Sequence, residues 1–446
     1  MKVYVIPHFH YDVVWVETER SYLKRVYKII ENILDIMDSD NNFKYTLDQT
    51  YYLEKLKKEK PKLFKQLADK VREGRIEIVN GGYVMPDLNL VSPQTIKKSF
   101  ELANEFALKE FGIKPKVAWM IDCFGHNGLM PKIAKEVGLN YYVFWRGMIN
   151  ESSTQDFIWE GIDGTRIIAH WMKFSYSLFP YVVKSLEEAI RISKPTTENI
   201  FIPFGADFYV PEEKFINEVY KIKEAKFATP SEFFEEIEKN KEKLPIVKGE
   251  MLSDYYNFRG VYSSRIRYKQ LFREVEKSLF SGNNNIEDKD WKELIYCSFH
   301  DLICGTGIDK VYSTAIGKLN KLKRKYSKKE EEEKYMEKTL ENIYLQLSLE
   351  SGDLYHTKPK PICVYKLEKL KTYSLSDGSL EIYLELDFKL PQHKLQLVID
   401  SGINNGVLLH NLGGYWIERS LNRNYPLTDY FEYWDEKKER KMVDTP

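Results

Sequence analysis

The stretch KVYVIPHFHYDVVW, residues 2–15, joins a short apolar run to a group of polar and aromatic side chains. Its first part, Lys2–Ile6, is rich in β-branched residues and predicts a buried strand. Directly after it come His8, His10, Asp12 and Trp15. Imidazoles and a carboxylate at the end of a buried strand cost free energy unless they find partners. We therefore expect specific partners or a function for these residues.

The first two hundred residues alternate between strand and helix patterns. Helical spacing occurs around Tyr22–Met37 and again after Ser92-Pro93, where a serine N-cap and a proline precede apolar residues. Strand alternating with helix predicts an α/β fold with a mostly parallel sheet, open or closed into a barrel. The predicted strands are Lys2–Ile6, Arg75–Val79, Val117–Ile121, Tyr141–Trp145, Ile167–Trp171 and Ile200–Phe204.

Polar residues follow several of these strands at the point where each strand ends. Asp122 and Arg146 come directly after their strands. Asp207 follows the last predicted strand after Gly205 and Ala206. Because ligands bind outside the carboxyl ends of parallel strands, we expect these side chains to share one rim with His10. His300, in the segment FHDLICGTG, is a further candidate from a helical region.

The types of these residues suggest hydrolytic chemistry. His10 and Asp12 lie two residues apart, so in an extended segment both point to one side, and zinc-like cations bind both groups; structural hydrogen bonding is the alternative. Two separate carboxylates, Asp122 and Asp207, suit glycoside hydrolysis or metal-assisted hydrolysis. For each aspartate the alternative is a helix N-cap or a turn. For Trp15 the alternative is core packing.

The composition argues against several classes of partner. Lysine plus arginine and aspartate plus glutamate number 67 each, a balance that indicates neither nucleic acid nor an anionic membrane surface as a partner. No apolar run reaches the roughly 18 residues of a membrane span, and the polar residues from His8 leave no room for a signal peptide. The four cysteines match no zinc motif and are too few for a disulfide framework. We expect reduced thiols and a cytoplasmic protein.

The length of 446 residues predicts several domains, because one hydrophobic core rarely serves so long a chain. From about Ser264 to Leu349 the pattern becomes helical and more charged, and Ser351–Pro361 has the glycine and prolines of a linker. Alternating apolar residues then favour β structure. The expected domains are a catalytic α/β domain (1–262), a helical bundle (263–350) and a partial β domain (359–446).

Taken together, these stretches resemble glycoside hydrolase family 38, the α-mannosidases. HFHYDVVW is similar to the family's opening H-x-H-x-D-x-x-W segment, and WMIDCFGHNG is similar to its nucleophile segment. IPFGADF resembles the stretch with the acid/base, and FHDLICGTG resembles the late His-Asp motif. NGGYVMPDLNL and GEMLSDYYNFRGVYSSRIRYKQLFREVE resemble two further segments. The likeness keeps its order over about residues 1–320.

The resemblance implies a β/α barrel-like catalytic domain and a retaining, exo-acting α-mannosidase. Its substrate would be terminal α-linked mannose in an oligosaccharide or glycan. One divalent cation per site is implied, usually Zn²⁺, with Co²⁺ or Mn²⁺ as alternatives. Its ligands would be His10, Asp12, Asp122 and His300, the last one contributed by the helical bundle. Asp122 would also be the nucleophile, and Asp207 would be the general acid/base.

Further roles follow from the same resemblance. Trp15 would lie against the sugar, Arg146 would lie near the nucleophile, and Tyr176 would contact the substrate. Hydrogen bonds that support the ligands are expected from His8, His126 and Asp301.

The chain departs from the family in two respects. Ala206 stands where members commonly have a second aspartate, so Asp207 has no neighbouring competitor as the acid. Members usually continue for several hundred residues into β-sandwich domains, whereas this sequence ends at MVDTP. A homo-oligomer or a complementing C-terminal chain is therefore an expected partner. Two alternatives stay open: another metal-dependent carbohydrate hydrolase or deacetylase, and an incomplete subunit that needs a partner chain for activity.

Overall fold

The computed structural model describes residues 1–148, 154–193, 195–252, 261, 264–280 and 286–326 with their side chains, and beyond these only the backbone of strands. The chain divides into two compact units. The first unit comprises Met1–Asn257, Ile286–Ile303 and Gly307–Leu319. The second unit comprises Phe258–Asn285, Cys304–Thr306 and Asn320–Pro446. Every candidate site residue lies in the first unit, and the domain boundaries expected from the sequence stay predictions.

Short strands and longer helices alternate through the first unit. The strands are β1 (Lys2–Pro7), β2 (Tyr45–Leu47), β3 (Ile76–Ile78), β4 (Val117–Met120), β5 (Tyr141–Phe144), β6 (Asp156–Glu160), β7 (Arg166–Trp171), β8 (Asn199–Phe204), β9 (Ala225–Phe227) and β10 (Ile246–Lys248). The helices up to residue 252 are α1 (Glu19–Ser39), α2 (Thr50–Glu59), α3 (Pro61–Arg72), α4 (Pro93–Phe111), α5 (Met130–Glu136), α6 (Leu186–Ile192), α7 (Glu213–Lys221) and α8 (Pro230–Glu238). The later helices are α9 (Ile266–Phe280), α10 (Asp288–Cys297), α11 (His300–Ile303) and α12 (Asp309–Tyr326).

Parallel pairing dominates the sheets of the first unit. β1 lies between β8 and β9, β2 pairs with β3, and a five-stranded sheet has the order β10-β6-β7-β5-β4. All these pairs are parallel except β6 with β7. Parallel bridges between His8 and Thr46 and between Asn80 and Ala118 link β1 to β2 and β3 to β4. The predicted mixed α/β fold with parallel sheets is confirmed, and the carboxyl ends of β8, β1, β2, β3, β4 and β5 point the same way.

Helix α4 shows how the local sequence sets an element's limits. The predicted N-cap, Ser92, accepts a hydrogen bond from the Thr95 amide at 3.3 Å, which satisfies a free N–H of the first turn. Gly112 ends the helix at a φ of 74°, where a β-carbon would add strain. Between them Ile96 and Phe100 are fully buried, and each contributes about 1.5–3 kcal/mol by leaving water.

Strands follow the last helix, and they correct part of the sequence prediction. The helical pattern was expected to run to Leu349, but β11 (Met336–Lys338) and β12 (Ile343–Ser351) lie within that range. The helical prediction is wrong there, because the apolar residues of IYLQLSLES alternate with a period of two. Residues 352–357 of the predicted linker lie outside the described residues. The remaining strands are β13 (Lys358–Lys366), β14 (Lys371–Ser374), β15 (Leu380–Tyr383), β16 (His393–Ile399), β17 (Val407–Leu412), β18 (Tyr415–Arg419), β19 (Phe431–Trp434) and β20 (Arg440–Val443).

Among the described residues, no helix combines the length and the apolar character that crossing a bilayer requires.

Candidate functional site

Four side chains from three distant parts of the chain meet beyond the carboxyl ends of β1 and β4. His10 and Asp12 follow β1, Asp122 follows β4, and His300 begins α11. All four are buried, and one donor atom from each lies within 4.8 Å of the others. His10 Nε2 is 3.1 Å from Asp12 Oδ1, and His300 Nε2 is 3.2 Å from Asp122 Oδ2. The structure thus brings together the four residues that the resemblance implies as ligands; we call them the ligand cluster.

The second nitrogen of each imidazole faces an oxygen outside the ligand cluster. His10 Nδ1 lies 3.5 Å from Asp48 Oδ2, and His300 Nδ1 lies 3.0 Å from the carbonyl oxygen of Met85. An acceptor at Nδ1 keeps a proton on that nitrogen, so the Nε2 lone pair is the one available to a cation. Both rings therefore present Nε2 to the ligand cluster.

The donor set fits a divalent cation. His10 Nε2 and His300 Nε2 are buried and make no hydrogen bond to the described residues. The donor atoms of a tetrahedral zinc site are roughly 3.4 Å apart. The four imidazole–carboxylate distances in the ligand cluster, 3.1, 3.2, 3.7 and 3.9 Å, lie on both sides of that value. Two nitrogens and two carboxylates suit zinc and related divalent ions.

The carboxylates around the imidazoles favour positive charge at this place. Burial by itself lowers the pKa of His300, but Asp301, Asp12 and Asp122 outweigh it and raise the pKa to about 10. Burial is likewise outweighed at His10, whose pKa is raised well above its ordinary value, chiefly by Asp12. Negative charge in a buried site attracts either protons or a cation.

Arg146 controls the charge of Asp122. It follows β5, and its Nη1 donates one hydrogen bond to the Asp122 carbonyl at 3.0 Å and another to the Asp122 carboxylate. The guanidinium carbon also lies 4.0 Å from the centre of the Trp145 ring. Burial raises the pKa of Asp122, but Arg146 and the two imidazoles outweigh it and hold the pKa well below its usual range. Asp122 is therefore an ionised carboxylate at neutral pH.

Asp207 has the opposite protonation. Although it is exposed to solvent, it loses part of its hydration to the surrounding protein. That loss and the negative charges of Asp12 and Asp122 raise the pKa of Asp207 to about 7. The buried Tyr176 hydroxyl donates to Asp207 Oδ1 at 2.8 Å and partly opposes the rise in pKa. Asp207 can therefore carry a proton near neutral pH.

The backbone around Asp207 is attached to the segment after β1. The His10 amide donates to the Ala206 carbonyl at 3.1 Å, and the Phe208 amide donates to the His10 carbonyl at 3.0 Å. Phe208 has a φ of 50°, a strained conformation for a non-glycine residue, and its ring stacks on Tyr22 at 4.4 Å. These contacts determine the direction of the Asp207 side chain relative to His10.

Two further predicted residues are Trp15, which follows the ligand cluster along the chain, and Asp301, which lies beside it. Trp15 follows Asp12 on the same loop and is partly exposed, and its carbonyl oxygen accepts a hydrogen bond from the Ile308 amide at 2.9 Å. Contact between Trp15 and a sugar stays a prediction. Asp301 lies beside the ligand cluster, with its Oδ2 3.7 Å from His300 Nε2.

His8 and His126, the other two histidines singled out from the sequence, lie outside the ligand cluster. His8 Nδ1 is 3.2 Å from the Ile6 carbonyl, and His126 Nδ1 is 2.9 Å from the Tyr142 hydroxyl. Burial lowers the pKa of His8 to about 4 and that of His126 to about 3, so both rings are neutral. In the contacts described for them, neither ring hydrogen-bonds to a residue of the ligand cluster.

Sequence reasoning missed Asp48 and Gln49, which are buried directly after β2 and lie beside the ligand cluster. Their signal was the same as that of Asp122, a polar residue at the end of a parallel strand. It was missed because the three residues of β2, Tyr45–Leu47, are too few to show a period.

Comparison with known families and proteins agrees with this arrangement. The model of the glycosyl hydrolases family 38 N-terminal domain matches residues 1–255. The α-mannosidase of Saccharomyces cerevisiae is 22% identical over 486 residues, which cover 98% of this chain and 43% of that protein. Alpha-mannosidase G of Dictyostelium discoideum is 24% identical over 340 residues, which cover 70% of this chain and 31% of that protein.

A solved structure gives the same result at the level of the fold. The crystal structure of an α-mannosidase from Enterococcus faecalis V583 superimposes with a TM-score of 0.65 at 20% identity, and the match covers 78% of this chain and 45% of that one. The chain thus spans less than half the length of each of these three relatives. The family model, however, matches more than half of the chain. The chain therefore belongs to glycosyl hydrolase family 38.

Proposed function

We propose that this chain is a retaining, exo-acting α-mannosidase that removes terminal α-linked mannose from oligosaccharides or glycans with a divalent cation at the sugar site. Family membership, the α-mannosidase relatives and the ligand cluster support this proposal. The observation that carries it is the different surroundings of two aspartates on one rim: the Arg146 guanidinium donates to Asp122, which also belongs to the ligand cluster, and the neutral Tyr176 hydroxyl donates to Asp207. These surroundings hold the pKa of Asp122 well below its usual range and leave that of Asp207 raised to about 7. Retaining glycosidases need one carboxyl group in each of these states.

In the proposed mechanism Asp122 is the nucleophile. Its carboxylate attacks the anomeric carbon, the bond to the leaving oxygen breaks, and a covalent mannosyl-enzyme forms. Arg146 keeps the carboxylate ionised before attack and donates a hydrogen bond to it. The contact of Arg146 with the Asp122 backbone carbonyl also limits the orientation of the nucleophile.

Asp207 acts as acid and then as base. In the first step it gives its proton to the leaving oxygen. In the second step its carboxylate removes a proton from a water molecule, whose oxygen attacks the anomeric carbon while the bond to Asp122 breaks and mannose is released. A pKa near 7 allows both steps at neutral pH, because neither form is strongly favoured. Tyr176 holds Asp207 Oδ1 through its hydroxyl and so fixes the orientation of the acid.

A cation would be held by His10, Asp12, Asp122 and His300. When bound there, it would supply positive charge beside the nucleophile and a binding point for neighbouring sugar hydroxyls. We propose Zn²⁺, with Co²⁺ or Mn²⁺ as alternatives. Trp15, on the loop after Asp12, would provide an apolar wall for the sugar ring.

Several wider aspects of the expected function belong to the same proposal. Parallel linkage from β8 to β5 is compatible with a barrel-like catalytic domain. A second copy of this chain or a complementing chain stays a proposed partner. A cytoplasmic location stays part of the proposal.

The test is hydrolysis of a chromogenic aryl α-mannoside by the purified chain, with and without a chelator. Inactivation with a fluorinated mannosyl reagent, followed by peptide mass spectrometry, should label Asp122. A metal-dependent deacetylase would release acetate and carry no label, so this measurement separates the two chemistries. Activity that survives removal of the cation would contradict the proposed role of the ligand cluster.

A further inference from the structure

Two buried polar residues, Asp48 and Gln49, lie next to the ligand cluster but belong to none of the roles proposed above. They follow β2, and each is at most 2% exposed. The backbone of Asp48 is held on both sides, since its amide donates to the Tyr52 hydroxyl at 3.1 Å and its carbonyl accepts from the Gly81 amide at 2.7 Å. The two side chains therefore start from a rigid position.

Asp48 faces the outer nitrogen of one imidazole ligand. Its Oδ2 lies 3.5 Å from His10 Nδ1, while His10 Nε2 faces Asp12 and Asp122. At this distance the contact is electrostatic and not a hydrogen bond, and a carboxylate at this place favours the tautomer with the proton on Nδ1. Asp48 thus acts on the direction in which His10 presents its lone pair.

Gln49 connects the two segments that hold the imidazoles. Its Nε2 donates to the carbonyl of Tyr11, between His10 and Asp12, at 2.7 Å. Its Oε1 accepts from the Met85 amide at 2.7 Å. Because one partner is a pure acceptor and the other a pure donor, the amide cannot be turned over without losing both bonds.

Met85 completes the connection to the second imidazole. Its carbonyl oxygen accepts hydrogen bonds from the His300 ring at 3.0 Å and from the His300 amide at 3.2 Å. The Gln49 side chain therefore links the loop of His10 and Asp12 to the residue that orients His300. Gln49 Nε2 also donates a hydrogen bond to Asp48 Oδ2 at 3.4 Å, so the two side chains hold each other in place.

We propose that Asp48 and Gln49 are the positioning residues of the cation site: Asp48 orients His10, and Gln49 sets the distance between the His10–Asp12 loop and His300. This inference rests on the cation of the proposed function. In this proposal neither residue is a ligand of the cation. Their removal lowers the affinity for the ion because the donors must then be ordered at the moment of binding.

A second aspartate–histidine pair provides a matched control. Asp156 Oδ1 lies 2.7 Å from His170 Nδ1, and both residues are about 1% exposed, on β6 and β7. Asp156→Asn removes the same kind of buried pair without touching the ligand cluster. A loss of affinity that came only from general destabilisation would appear in this control as well.

The experiment is a titration of the chelator-treated full chain with Co²⁺, followed by the visible absorption of the bound ion, with circular dichroism as the check of folding. We expect Asp48→Asn and Gln49→Glu to weaken Co²⁺ binding roughly 10- to 100-fold and to alter the absorption band. Asp156→Asn should leave both affinity and band unchanged.

The outcomes separate this inference from the proposed function. Folded Asp48→Asn and Gln49→Glu variants that bind Co²⁺ like the unchanged protein would overturn the positioning role and leave the cation site intact. If one variant does not fold, the other decides. An unchanged protein that takes up no Co²⁺ would overturn the cation site and, with it, this inference.

Discussion

Asp122 and Asp207 are the same residue type at the ends of two parallel strands, yet their surroundings shift their pKa values in opposite directions. Asp122 is 8% exposed and ionised, whereas Asp207 is exposed and holds its proton up to a pH of about 7. Loss of hydration raises the pKa of both carboxyl groups, and it is the largest contribution at Asp207. Arg146 and two imidazoles outweigh it at Asp122, whereas the carboxylates of Asp12 and Asp122 add to it at Asp207. The neighbouring charges therefore decide the direction in which each pKa moves.

The largest expected effect on activity follows from replacing Asp122, the ionised carboxylate. Asp122→Asn removes the proposed nucleophile and leaves its shape, so kcat/KM on an aryl α-mannoside should fall about 10⁴- to 10⁶-fold. Incubation of this variant with the fluorinated mannosyl reagent, followed by mass spectrometry, should detect no labelled enzyme. Asp163→Asn is the control, because the hydrogen bonds given for the Asp163 side chain within the described residues go to Thr165 in a turn. Comparable turnover in both variants would remove Asp122 from the mechanism.

Replacing Asp207, the protonated carboxyl group, should lower kcat/KM by a smaller factor, and that factor should depend on the substrate. Asp207→Asn removes the general acid, so kcat/KM should fall about 10²- to 10⁴-fold for an alkyl α-mannoside. A dinitrophenyl mannoside needs little proton donation, because its leaving group is already a stable anion, and its first step should be nearly unaffected. Parallel rate measurements on both substrates test this difference. Equal losses would indicate that Asp207 is not the acid.

The smallest expected effect is a shift of the pH profile. Above its pKa Asp207 loses the proton that it must donate, so kcat/KM should fall as pH rises through that value. The Tyr176 hydroxyl stabilises the ionised form of Asp207. Tyr176→Phe should therefore raise the pKa of Asp207 and move the basic limb of the profile upward by about one pH unit. A limb that stays in place or moves downward would show that another group controls it.

The parts of the site that depend on clear strands could be predicted from the sequence. Lys2–Ile6 and Val117–Ile121 are continuous apolar runs, and they correspond to β1 and β4. The rule that parallel strands present their carboxyl ends to one edge then predicted that His10, Asp12 and Asp122 would share a rim. Long apolar runs predict these two strands because both faces of each strand are buried, so polar residues do not interrupt the run.

Other parts could not be predicted by that rule. His300 enters from a helix that no strand pattern connects to β1, so its place in the ligand cluster was implied only by the resemblance to the family. β2 has three residues, and the role of Gln49 depends on a bond to Met85 across 36 positions of the chain. The protonation of Asp207 depends on charges from two other loops. These properties arise from tertiary contacts, which local periodicity does not encode.

The wide spacing of the ligand cluster along the chain has a consequence for biosynthesis. The donors come from positions 10, 12, 122 and 300, so a growing polypeptide has its complete donor set only after His300 has left the ribosome. Until then the strands of the first unit must pair without the stabilisation that a bound ion contributes to a folded state. In the proposed function, metal loading would accordingly be a late event in the maturation of this chain, and shorter translation products that lack His300 would not hold the ion with all four donors.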